Sequence, residues 1–166
     1  MTTPKHHLRQ PMEPRMSELS KFRIAEYQLA DAVELYNQGK YVSALALAGA
    51  SHTLFENLLK RKTEDTSMKR RIGFFRKLSQ SFFPSHTPSD QSYRRLFYYI
   101  RNSIKHLDDG DSEITTFSVR DIRSDALMFI RLAGKDMAAL IGDHGYSCSP
   151  KTSSLIAAFN ADTRNS

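Results

Sequence analysis

The sequence predicts an all-α fold: a four-helix up-down bundle with a short basic helical insertion between its second and third helices and a small C-terminal helix. Three observations carry this expectation. Apolar residues recur at helical spacing through four long stretches. Glycine is sparse, 7 in 166 residues, and Gly39 and Gly142 fall where two of those stretches stop. No stretch alternates as a strand should, and ITTF at 114–117 is too short to count as one. The length suits one domain with a proper core, and a hydrophobic content of 40% suits a folded chain.

Residues 1–17 hold Pro4, Pro11 and Pro14 and read as a flexible leader. The bundle then occupies 18–142. Its first helix is expected over 18–38, with Phe22, Ala25, Leu29, Val33 and Tyr36 on one face and Gly39 as its stop. Tyr41 opens the second, YVSALALAGASHTLFENLLKRK, with Ala44, Leu47, Ser51, Leu54 and Leu58 as its stripe. Its run of small residues lets a neighbouring helix approach closely. The short connection makes the two helices antiparallel neighbours.

Residues 61–89 interrupt the bundle pattern. Between positions 60 and 77 lie eight basic residues, opposed by Glu64 and Asp65 alone. Met68, Ile72, Phe75 and Phe82 give this insertion a short amphipathic helix before Pro84, and Phe74, Phe75, Phe82 and Phe83 are expected to cover the bundle. The third bundle helix is expected over 89–107 with Tyr93, Leu96, Phe97, Ile100, Ile104 and Leu107 inward. Ser118 and Asp121 form a capping-box-like start for the fourth. That helix carries Ile122, Ala126, Phe129, Ile130, Ala133, Met137 and Leu140 and stops at Gly142. The tail, 143–166, holds a small helix near 153–160 docked by Leu155, Ile156 and Phe159.

The chemistry is concentrated in RNSIKH at 101–106, near the end of the third bundle helix. A guanidinium grips phosphate through a planar fork of donors, and imidazole moves protons near neutral pH. With Ile100 at the centre of the buried face, Arg94, Arg95, Tyr98, Arg101, Asn102, Lys105 and His106 fall on the opposite, outward half. Arg101 and His106 are then about 140° apart, so one straight helix does not aim both at one atom. A distorted helix end, or two copies packed about a twofold axis, would bring them together.

RNSIKH on a third helix, with YVSALALAGASHTLFENLLK before it and a fourth helix after, resembles the HEPN superfamily over roughly residues 18–142. In that superfamily an R-x4-6-H motif on the third helix often makes a ribonuclease site, built between two chains. The resemblance implies a metal-independent endoribonuclease acting as a homodimer, with Arg101, His106 and Asn102 catalytic and no cofactor. Glu56, Lys105, Tyr98 and Arg94 are the expected substrate-binding residues, and His52 lies one turn before Glu56 on the same face. The alternative is a non-catalytic module of the same shape that binds nucleotide, RNA or another protein.

A net charge of +6 favours polyanionic partners, RNA or a nucleotide phosphate first. No apolar run approaches the ~20 residues that span a bilayer, and residues 1–16 lack a secretory pattern, so a cytoplasmic protein without a membrane partner is expected. Cys148 is the sole cysteine, which excludes a disulfide framework. His144 and Cys148 lack further zinc ligands. The acids at 108–113 lack the calcium-loop spacing, and no phosphate-cradling glycine loop or nucleophile elbow occurs.

Overall fold

The computed structural model describes residues 20–105 and 116–162, and the expected leader and His106 lie outside them. Among the described residues the chain is all-helical: α1 (Lys21–Asn37), α2 (Tyr41–Lys60), α3 (Ser67–Phe82), α4 (Asp90–Lys105), α5 (Val119–His144) and α6 (Pro150–Asp162), with a 3₁₀ turn at Pro84–His86. Thr116 and Phe117, the described part of ITTF, form no strand. No described helix is long and apolar enough to cross a membrane.

The expected α1 stripe is the buried face of α1. Ser20 caps its N-terminus by accepting from the Arg23 N–H, and Gly39, at φ 75°, turns the chain out of it. The α1–α2 pair is antiparallel. Phe22 meets Phe55, Ser51 Oγ donates to the Ala25 carbonyl, and Tyr36 meets Tyr41 next to the turn. α2 is buried on more sides than its expected stripe allowed, because α1, α4 and α5 all pack on it; Leu45, Ala48, Phe55 and Leu59 are fully enclosed.

Ser118 starts α5 as the capping pattern indicated, its Oγ accepting from the Asp121 N–H at 3.1 Å. The stop differs from expectation. α5 runs through Gly142 to His144, and Gly145, at φ 73°, ends it. The Tyr146 N–H then reaches back to the Leu140 carbonyl. α6 is longer than expected. Its docking is polar as well as apolar: buried Ile156 and Phe159 are joined by Glu26, a fully enclosed acid on α1 that accepts from the Ser149 N–H at 2.7 Å and pairs with Arg23.

The insertion between α2 and α4 is not short. α3 has 16 residues, as many as α4. Thr66 caps it, and Met68 and Ile72 are buried as expected, with Phe75 half-buried against Phe97. Phe74, Phe82 and Phe83 instead stand in solvent at 62%, 69% and 66% exposure, so they do not cover the bundle.

α4 is turned relative to expectation. Its inward face carries Tyr93 and Phe97 together with Arg94, Tyr98 and Arg101, while Leu96 is 67% exposed. Arg94, Tyr98 and Arg101 therefore do not face away from the bundle. Long arginine and tyrosine side chains bury their stems and rings while keeping their polar ends satisfied, and α2 supplies the partners that make this possible.

Candidate functional site

Gly49, His52, Thr53, Glu56 and Lys60 recur at helical spacing and form one stripe of α2. Arg94, Tyr98 and Arg101 form the matching stripe of α4. The two run antiparallel and pair position by position. Arg94 Nη1 meets Glu56 Oε1 at 3.3 Å, the Tyr98 hydroxyl meets His52 Nδ1 at 3.2 Å, and Arg101 Nη2 donates to Thr53 Oγ1 at 3.3 Å. The result is a polar seam through an otherwise apolar contact.

Glu56 closes one end. It is 4% exposed, and Oε1 also receives Lys60 Nζ at 3.1 Å and the Thr66 hydroxyl at 3.2 Å. Burial pushes its carboxyl up. Charge on His52 when protonated, and on Lys60 and Arg94, overrides that and leaves it below the ordinary carboxylate range. Thr66 ties Glu56 to the start of α3, because the same hydroxyl accepts from the Lys69 N–H.

The middle of the seam is enclosed. His52 has no exposure, and burial drives its ring down to about 4, so it is neutral at pH 7. Its Nε2 lies 3.5 Å from Asp136 Oδ2, too long for a good hydrogen bond, and among the described residues both atoms are otherwise without a partner. A neutral ring that accepts the Tyr98 proton on Nδ1 carries its own proton on Nε2, facing the carboxylate. Asp136 Oδ1 accepts from the Ser67 N–H at 2.7 Å, which satisfies one free donor at the start of α3. Burial raises the Asp136 carboxyl to about 6 and the Tyr98 hydroxyl to about 12.

Arg101 forms the other end. Its guanidinium carbon lies 5.3 Å from the Tyr98 ring centre and 5.8 Å from that of Phe129 on α5. Gly49 makes room for it, since a Cβ there would overlap Arg101 Nε and Cδ. Burial lowers its pKa, yet a guanidinium stays charged in a protein. Among the described residues no carboxylate pairs with it. Arg94 has Glu56; Arg101 has a threonine hydroxyl and two ring faces. Of its five N–H donors this leaves several to take an anion.

The structure thus gathers Glu56, Arg94, Tyr98 and Arg101 into one seam and puts Asn102 on the exposed side of α4. Lys105 is the last residue of α4, and His106 is outside the described residues. Reading the sequence missed Asp136, Thr53 and the role of Gly49. The available signal for Asp136 was a lone acid on the apolar face of α5, between the buried Ala133 and Met137. Comparison of the chain with family models, with curated proteins and with solved structures found no match.

Proposed function

We propose that the chain is a HEPN-type endoribonuclease, independent of metal and active as a homodimer, in which Arg101 holds the scissile phosphate. The observation that carries this reading is the state of Arg101: half-buried, fixed by Thr53, Tyr98 and Phe129, and without a carboxylate partner among the described residues. A cation kept partly out of water with open donors is prepared for an anion. The antiparallel pairing of α1 with α2, and of α2 with α4, supports the up-down bundle that this reading requires.

In this mechanism His106 removes the proton from a ribose 2′-hydroxyl. The 2′-oxygen forms a bond to phosphorus, the bond from phosphorus to the 5′-oxygen breaks, and that oxygen leaves with a proton from a second His106 or from water. Arg101 offsets the charge that builds on the phosphoryl oxygens, and Asn102 orients the histidine or the phosphate. The products are a 2′,3′-cyclic phosphate and a 5′-hydroxyl.

A specific observation favours a second reading. Arg94 and Tyr98 bond to Glu56 and His52, which leaves Arg101 as the seam's cation without a carboxylate among the described residues and suits a module that binds a phosphate without cleaving it. Incubating purified protein with varied RNAs in EDTA separates the two. Cyclic-phosphate ends that His106→Ala reduces by about 10²–10⁴-fold, and that Arg101→Ala removes, support the nuclease. Phosphate binding lost in Arg101→Ala with every RNA intact supports the module.

A further inference from the structure

α3 has two faces with different work. Its inner side, Met68 and Ile72, joins the core, and Arg71 stacks on Phe75 and Phe97 at 5.3 and 4.9 Å. Its outer side carries Arg70, Phe74, Lys77 and Ser81, spaced i, i+4, i+7 and i+11 along one helical ridge, and all four are exposed. Leu78 flanks the ridge, and Phe82, the last residue of α3, and Phe83 just after it are exposed as well. The helix contains five cationic side chains and no acid. Arg70 and Arg76 reach acids outside the helix, Asp65 and Asp90, in exposed pairs that contribute little and yield readily to a polyanion. No carboxylate pairs with Lys77 among the described residues. The Phe74 ring stands edge-on to Phe75, with centres 5.6 Å apart at 90°, which braces it while leaving its face in water.

We infer that this ridge is a docking surface for single-stranded nucleic acid, with Phe74, Phe82 and Phe83 as stacking platforms and Arg70 and Lys77 as phosphate contacts. Charge complementarity selects a polyanion, and the placement of the aromatics selects an unpaired strand. Bases stack on any exposed ring while cations between the rings follow the backbone. A helix that lies on a lipid surface segregates an apolar face from a charged one. Here Arg70 and Lys77 flank the Phe74 ring on one ridge, and Met68 and Ile72 on the opposite side of α3 are already spent on the core. A base-paired helix has no free base faces to offer Phe74. The inference does not depend on Arg101: the ridge binds a strand whether or not the seam cleaves it.

The test is fluorescence anisotropy of a labelled single-stranded 20-nucleotide RNA of mixed sequence with the full chain, over a series of salt concentrations. Phe74→Ala weakens binding by about five- to a hundred-fold, and Lys77→Ala lowers the slope of log affinity against log salt by about 0.7. Both residues are exposed, so the circular dichroism of each variant matches wild type. Arg101→Ala keeps the Phe74 dependence, which separates this surface from the seam. The same RNA in a duplex binds without sensitivity to Phe74. Equal affinities for wild type and Phe74→Ala overturn the inference. So does Phe74-dependent binding to phosphatidylserine vesicles without RNA binding, or a Phe74→Ala effect confined to self-association.

Discussion

Gly49 and Arg101 show how a single residue sets the site. The absence of a Cβ on α2 is what lets the guanidinium lie between Thr53 and the rings of Tyr98 and Phe129. Gly49→Ala improves helix propensity by about 1 kcal/mol and displaces a flexible side-chain end, so the fold should hold or gain stability while phosphate binding falls. Thermal melting beside a nucleotide titration checks both halves, and unchanged binding contradicts the role given to Gly49. His52 and Asp136 make a second expectation with opposite signs. His52 sits at about 4 against an ordinary 6.5, so the unfolded chain takes up its proton first and acid costs stability between pH 6.5 and 4. Fully developed, that loss is about 3 kcal/mol. Asp136 sits at about 6 against an ordinary 3.8, so its burial cost at neutral pH is relieved as pH falls across that window. The two slopes offset each other in the wild type. His52→Gln should therefore gain stability relative to wild type on acidification, and Asp136→Asn should lose it. Urea midpoints at pH 7, 5.5 and 4.5 measure this, and parallel curves for all three proteins would show that neither group is shifted.

At the scale of elements, α1 was legible because its apolar positions describe a single stripe and Gly39 marks its end. Ser118 was equally plain as a start. α5 is 26 residues long, and Ser118→Ala removes its N-cap at a cost of about 1 kcal/mol, which chemical denaturation should register without a change in helix content. α4 was misread for a physical reason. Tyr93, Leu96, Phe97, Tyr98, Tyr99, Ile100 and Ile104 spread apolar surface around most of the helix, so its buried centre cannot be fixed from α4 alone. Choosing Ile100 turned Arg94, Tyr98 and Arg101 outward. The tie is broken by α2, whose Glu56, His52 and Thr53 form the complementary row, and that information is long-range. α3 was underrated because its charge resembles a linker's; its stability comes from Thr66 and from Ser67 bonding to Asp136, 69 residues away.

For the whole molecule, the expected arginine, asparagine and histidine constellation is divided. Arg101 belongs to the interior seam, Asn102 to the exposed side of α4, and His106 lies outside the described residues. The direction in which Arg101 points was not legible from RNSIKH. On the proposed reading two chains complete it, and the outer side of α4 offers Leu96 and Tyr99, exposed at 67% and 61%, for the contact. Sedimentation at micromolar concentration should give a dimer, and Leu96→Glu should shift it toward monomer with no loss of helicity. A strict monomer at high concentration counts against a shared site.

On the proposed reading Arg101 is held ready for a phosphate, not kept for the fold. That reading is tested most directly by titrating a 2′-O-methyl dinucleotide, which the 2′-hydroxyl route cannot cleave, into wild type and Arg101→Ala while monitoring circular dichroism. Arg101→Ala should lose at least about tenfold in affinity, as expected for one charge-assisted contact, with the helical spectrum and thermal midpoint retained. Equal affinity in the two proteins, or loss of the helical spectrum in Arg101→Ala, would contradict it.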